Sequence, residues 1–417
     1  MNTTAPNISS FHTASGLRIV FEKMDAMESA SMQMFIPAGS AHDDADALGG
    51  SAVAAEILLR GAGALDSRAQ ADAFDQVGAL RNSSVGVRFL SISASVVGAR
   101  IVEALPLVVD MVRSPRFTDS SLAPACELAK AGIASLADDP QQRAVLGARS
   151  RHLPAPYNRD TLGTEGGIDA LSSEQLANWW ASHAVPSGSI LSIAGSFDTE
   201  RVLASLDSLL KGWSGERAQP AVGDAPDRGY AHEIDDSNQV QVVVLHDGPK
   251  EGADDSVLER IAVNVLSGGM SGRLFTEVRE KRGLCYAVSS SYRADCDRGV
   301  VTSYVGTTPE RAQESLDVLL EQLAQINAGD VTKEEFDRAL IGMKSRLVFA
   351  GESTRARAGA CAADMANLGR VRTLDEIVSR IDSVTLDELN AYLRRRDPGS
   401  PTIQTLGPDA LTPPAAR

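Results

Sequence analysis

The sequence predicts an α+β protein of two homologous halves, each a mostly antiparallel sheet with helices packed on one face. Three observations carry this prediction. One order of elements occurs twice, the strand-like runs alternate only in part, and one patternless stretch lies near the middle of the 417 residues.

The run 30–38 (ASMQMFIPA) reads as a strand, followed by an acidic loop and a helix from about Leu48. The run 240–245 (VQVVVL) reads likewise, followed by Asp254-Asp255 and a helix from about Val257. A β segment comes next in each half, at 85–97 and 283–305, and the first alternates in part through Val87, Phe89, Ile92 and Ala94. Such alternation fits a sheet with one face on the core. Apolar-periodic helices follow at 101–112 and 309–323, the second with Thr308 as N-cap and Pro309 in first position, where the missing N–H is no loss. Each half later repeats a capping-box helix start: Ser172 with Gln175 ahead of Trp179 and Trp180, and Thr385 with Glu388 ahead of Tyr392 and Leu393. Residues 213–230 are rich in Gly, Pro, Ala and charge without periodicity, a linker signature. The predicted division is 1–215, a linker at 216–227, and 228–417.

Hydrophobic residues make up 43% of the chain and charged ones 23%, enough apolar surface for a core without disulfide or metal staples. The net charge of −15 argues against a nucleic-acid partner, which needs clustered Lys and Arg. Plain solvated surface or an attraction for basic peptides accounts for it. Cys126, Cys285, Cys296 and Cys361 form no C-x-x-C pair and read as small hydrophobes or free thiols of a reducing compartment. Cys285 and Cys296 are close enough in sequence to be cross-strand neighbours. No run reaches the roughly 20 apolar residues of a membrane span, and residues 1–12 hold no apolar run of signal-peptide length. The expected location is the cytoplasm, or the periplasm for a protein whose signal peptide has been removed. No membrane partner is expected.

Several blocks, in order, resemble the pitrilysin/insulinase superfamily of zinc peptidases. They are Pro37-Ala38-Gly39-Ser40 with Asp43-Asp44, Gly49-Gly50 and Leu59-Arg60-Gly61, then Asp138-Asp139-Pro140, Thr161-Leu162-Gly163-Thr164-Glu165 and Ile193-Ala194-Gly195. Ser271-Gly272-Arg273-Leu274-Phe275 and the run 278–286 (VREKRGLCY) complete the set. Active members of the family carry H-x-x-E-H on the helix after the first strand. Two His on one helix face chelate one ion, the Glu acts as general base, and a downstream Glu is the third ligand. Here the aligned residues are Val53-Ala54-Ala55-Glu56-Ile57, and 131–133 contain no acid. Valine and isoleucine have no lone pair for zinc, and Glu56 alone falls short of the three protein ligands of a catalytic site. The resemblance therefore implies no zinc bound by this chain, with Val53 and Ile57 as core and Glu56 as an ordinary helix carboxylate. The six histidines, His12, His42, His152, His183, His232 and His246, include no i, i+3 or i, i+4 pair, so a replacement site needs residues far apart in sequence.

The family holds substrate with an Arg and a Tyr seven residues apart, matched here by Arg279 and Tyr286. A guanidinium offers a planar fork to a carbonyl or carboxylate, and a phenol one hydrogen bond to a carbonyl or oxyanion. The residues alone equally allow a salt bridge from Arg279 to Glu277 or Glu280 and a packing role for Tyr286. The turn 267–273 (SGGMSGR) is no phosphate loop, since G-x-x-x-x-G-K-[ST] is absent. By resemblance to the glycine-rich loop of the mitochondrial processing peptidase, Gly268, Gly269 and Ser271 are candidate substrate contacts, with a plain loop as the alternative. The segment 78–84 resembles the strand on which the family pairs extended peptides. Together these imply the non-catalytic subunit of a heterodimeric zinc endopeptidase. Zinc would sit in a homologous H-x-x-E-H partner, and the two chains would close as a clamshell on peptide substrates. The alternatives are a structural scaffold or peptide-binding protein on the same fold, and an independent zinc enzyme with an unrecognised site.

Overall fold

The computed structural model describes residues 7–224 and 226–413. Its strands in chain order are β1 (Ile8–His12), β2 (Arg18–Lys23), β3 (Ser29–Ile36), β4 (Gly61–Ala62), β5 (Leu65–Asp66), β6 (Leu80–Val85), β7 (Leu90–Val97), β8 (Ile190–Gly195), β9 (Gly229–Ile234), β10 (Val240–Gly248), β11 (Cys285–Ala294), β12 (Gly299–Thr307) and β13 (Thr402–Gly407). One sheet runs β1-β2-β8-β3-β7-β6 and the other β11-β12-β10-β13-β9, with β4 and β5 as a small ribbon. All pairings are antiparallel except β2 with β8 and β13 with β9. Read outward from the parallel pair, β2-β8-β3-β7-β6 and β9-β13-β10-β12-β11 are one plan. The repeat in the sequence is thus a repeat of topology.

Local chemistry places the elements. Ser172 and Gln175 make both bonds of a capping box at the start of the Ser173–His183 helix. The Thr385 hydroxyl accepts the Glu388 N–H at 3.2 Å to start the Leu386–Arg395 helix. The β segments expected at 85–97 and 283–305 resolve into hairpins, β6–β7 and β11–β12. Cys285 lies opposite Thr307, while Cys296 sits in the connecting turn, so these two are not cross-strand neighbours. None of the four cysteines forms a disulfide.

The chain forms two compact units interleaved along the sequence. The first comprises residues up to 135, 155–223 and 350–373, and the second comprises 136–154, 224–349 and 374 onward. In the first unit, Ile19, Phe21, Met32 and Met34 face a core shared with the helices Gly50–Leu58 and Ile101–Arg113. Val20 and Ile190 face the other way, against Cys361 and Met365 of the helix Thr354–Leu368. In the second unit, Val242, Val244 and Val305 pack with the helices Ser256–Ser267 and Ala312–Asn327. Val243, Leu245 and Tyr304 meet Ala144 and Ala148 of the helix Pro140–His152.

To the helix-covered face of each sheet the structure therefore adds one further helix on the opposite face, drawn from the other half of the sequence. The cause lies in the strands. In VQVVVL, apolar residues occupy both parities, and successive side chains point to opposite faces, so covering one face would leave the other bare and apolar. A buried ion pair fixes the first of these helices: Arg357 donates through Nε to both oxygens of Glu22 on β2, at 3.1 and 2.9 Å. No helix among the described residues is long and apolar enough to cross a membrane.

Candidate functional site

The first place to look is the helix Gly50–Leu58, which follows a 3-10 turn at Ser40–His42. Asp43 ties the helix start, accepting Gly49 N–H at 2.9 Å, Ser51 N–H at 2.8 Å and the Ser51 hydroxyl at 3.2 Å. Val53 and Ile57, one turn apart on one face, are each 0% exposed within the apolar core. Glu56 turns instead to Arg60, 3.8 Å away. Residues 131–133 lie on the helix Asp119–Ser135, which packs against this one and offers no acid there. Zinc does not fit these residues, because aliphatic side chains fill both ligand positions and the remaining carboxylate faces a guanidinium. Among the described residues, the one group with three ligand-type side chains close together is Asp295, Cys296 and Asp297. It is the turn of a hairpin, in which Asp295 accepts the N–H groups of Asp297 and Arg298 at 2.8 and 3.0 Å.

Beside that helix, β6 is the last strand of its sheet and pairs with β7 alone. Ser83 donates to the Ala55 carbonyl at 2.6 Å, tying the strand to the helix. Leu80 is 71% exposed. The segment 78–84 thus includes an open sheet edge, the kind of backbone to which extended peptides add.

Arg279 and Tyr286 lie in the second unit, on either side of one tight turn. Phe275–Glu280 is a single π-helical turn, with Lys281 N–H reaching back five residues to the Thr276 carbonyl at 3.0 Å. Turns of this kind recur at functional positions. Gly283 N–H donates to the Arg279 carbonyl and Leu284 N–H to the Val278 carbonyl, both at 3.0 Å, which delivers the chain into β11 with Tyr286 as its second residue. Arg279 is exposed and lies over the Phe275 ring, 4.8 Å from its centroid. The salt bridge to Glu277 is not made, because that carboxylate accepts from Lys281 at 2.6 Å and Arg282 at 2.9 Å. Arg279 has no carboxylate partner among the described residues. Tyr286 is 43% exposed and its hydroxyl donates to Gln239 at 2.6 Å. Gly306 on β12, a position missed from sequence, makes room for it. A Cβ there would stand 2.6 Å from the Tyr286 hydroxyl and 2.4 Å from that of Tyr304.

Gly268, Gly269 and Ser271 line one cavity of about 300 Å³ between their loop and the helix Lys333–Gly351. Gly268 has no space for a side chain, since a Cβ would meet the Asn264 carbonyl at 2.4 Å. Arg279 and Tyr286 do not line this cavity. The candidate contacts therefore form two groups, the loop residues in one and the Arg–Tyr turn in the other.

Sequence spacing also gave no sign of a pair of imidazoles in the first unit. His42 and His183 meet edge to face with ring centroids 5.3 Å apart. The Ser173–His183 helix brings them together: Trp179 donates its indole N–H to the His42 carbonyl at 2.9 Å, and its own ring lies 4.9 Å from that of His183.

Comparison with known proteins agrees with this architecture. Residues 170–343 match the family model described as the peptidase M16 inactive domain. An uncharacterized zinc protease of Bacillus subtilis is 26% identical over 395 residues, covering 91% of this chain and 93% of its own length. Another, of Streptomyces coelicolor, is 27% identical over 410 residues, covering 94% and 88%. Among solved structures, a peptidase M16 inactive domain from Pseudomonas fluorescens has a TM-score of 0.87 at 21% identity, covering 97% of this chain and 98% of that one. A chain of complex III2 from Candida albicans has a TM-score of 0.81 at 17% identity, covering 95% of each. With the repeated sheet plan, the chain is similar end to end to proteins named as zinc proteases, and its residues 170–343 resemble an inactive domain of the M16 peptidases.

Proposed function

We propose that this chain is the non-catalytic subunit of a heterodimeric zinc endopeptidase, holding peptide for a homologous partner that carries H-x-x-E-H and the zinc. One contrast supports the reading most. The two ligand positions, Val53 and Ile57, are sealed in the core, while Arg279 and Tyr286 remain exposed on a shaped turn and Arg279 has no carboxylate partner among the described residues. A guanidinium held over a ring and free of carboxylates is available to a peptide carbonyl or carboxylate. The Tyr286 hydroxyl adds one donor, exchangeable from Gln239. Peptide is the substrate class, the two chains close as a clamshell on it, and this chain itself holds no cofactor.

The test is co-expression with a candidate H-x-x-E-H partner, followed by zinc analysis and peptide cleavage by each chain alone and by the mixture. Cleavage confined to the mixture is expected. Arg279→Ala is expected to lower kcat/KM of the complex at least about tenfold, the scale of one lost charge-assisted hydrogen bond. Full activity after both Arg279→Ala and Tyr286→Phe would overturn the assigned roles. A second reading, a structural scaffold, draws support from the likeness to a chain of complex III2. Absence of any peptide binding by the purified chain or its complex would favour it.

A further inference from the structure

The first unit contains a second cavity, of about 450 Å³, remote in sequence from the Arg279–Tyr286 turn. Its polar lining is His42, Asp43, Arg159, His183 and Gln219, and Ala155, Pro156, Pro220 and Val222 supply apolar wall. The segment after His183 closes one side. It is pinned by the Gly223 N–H to the Ala155 carbonyl at 2.8 Å and by Arg217 lying over Phe89.

His42 is the unusual member. It is 7% exposed, yet its ring makes no hydrogen bond to the protein among the described residues, and it lines the cavity. His183 directs Nδ1 to the Trp179 carbonyl at 2.8 Å and to the Ser182 hydroxyl at 3.0 Å, which leaves Nε2 on the side without a protein partner.

The surrounding charge selects the ligand. Burial, then His183, Arg217, Arg159 and Arg88, push the His42 imidazole down to about 3, so at neutral pH it is an uncharged ring with one N–H to donate. The carboxylate in the cavity lining, Asp43, is already occupied by Gly49 and Ser51. Arg159 uses one nitrogen on the carbonyls of Ser40, Ala41 and Asp43. Among the described residues Arg159 has no carboxylate partner, so the cavity wall carries a guanidinium charge beside imidazole N–H donors. It disfavours a metal cation and favours an anion.

We propose that this cavity binds a small organic anion, with its carboxylate on His42, His183 and Arg159 and a short apolar body against Pro156, Pro220 and Val222. The site is independent of the peptide-holding role proposed for Arg279 and Tyr286. Two sources share this chemistry, a free carboxylic acid and the C-terminal carboxylate of a peptide.

The experiment is a calorimetric titration of the full chain with hexanoate, hexanamide, inorganic phosphate, and N-acetyl-Ala-Leu as free acid and as amide. The histidine ring resonances are followed in parallel by NMR. The expected result is hexanoate at least tenfold tighter than hexanamide and than phosphate, with two histidine resonances moving on binding. His42→Leu, which removes a ring that has no hydrogen bond to lose, is expected to weaken hexanoate at least tenfold while leaving the melting temperature unchanged. Tighter binding of the acetylated dipeptide acid than of hexanoate identifies a peptide terminus as the source, and the reverse identifies a free acid. Equal affinity for hexanoate and hexanamide, or for hexanoate and phosphate, overturns the proposal. So does a wild-type titration that moves no histidine resonance, a result that needs no variant to fold.

Discussion

The helix Thr354–Leu368 reaches its sheet from the far end of the sequence, and Arg357→Met tests what holds it there. Arg357 is 3% exposed and Glu22 9%, and both carboxylate oxygens of Glu22 accept from the guanidinium. Methionine keeps much of the stem packing and removes the charge. Deleting one member of a buried pair costs about 3–5 kcal/mol, because the remaining charge is left uncompensated. Here the low end applies, since the Cys361 thiol still donates to Glu22 at 3.1 Å. A loss of about 3 kcal/mol corresponds to roughly 6–12 °C in Tm for a unit of about 200 residues. Trp179, Trp180 and Trp213 all lie in the first unit, so intrinsic fluorescence reports its unfolding selectively. The double variant Glu22→Gln, Arg357→Met leaves no buried charge and is expected to regain about 1–3 kcal/mol. A single variant melting within about 2 °C of the parent, or a double variant no more stable than the single, would refute the assignment of this pair as the helix anchor.

Two further outcomes are expected. Val53→His with Ile57→His restores the letters of the metal motif but buries two imidazoles in a dry core. It is expected to cost about 2–6 kcal/mol and to bring no stoichiometric zinc, since two ligands fall short of three; thermal melts with and without zinc, together with metal analysis, check both. In the second unit, burial tends to raise the Asp247 carboxyl, but His152, 3.4 Å away, and the hydrogen bonds from Arg228 outweigh it and hold the group well below the usual carboxylate range. A depressed folded value means a stabilising contribution that is complete above the unfolded carboxylate range and is lost as the pH falls below it. Arg228→Met is therefore expected to move the acid-unfolding midpoint upward, and an unchanged midpoint would count against this pairing.

Much of the fold was legible in the sequence because the information was local. Capping boxes act over three residues, strand alternation over two, and helical periodicity over four. These sufficed to order the elements of both halves, starting helices at Ser172 and Thr385. The replacement of His by Val53 and Ile57 was equally plain, because valine and isoleucine cannot ligate zinc in any fold. The Arg279–Tyr286 spacing was visible too, although only the π-helical turn shows how the intervening residues close. What tertiary structure alone decided was every pairing across long stretches of chain. The helices Pro140–His152 and Thr354–Leu368 carry small residues, Ala144 and Ala148 in one, Cys361 and Ala362 in the other, whose pattern does not say which sheet they cover. Only burial of the second apolar face of each strand selects it. His42 and His183 likewise stand on separate elements without any shared motif. Their meeting depends on a helix docked by Trp179 and on a linker folded back over them, contacts that no local pattern encodes.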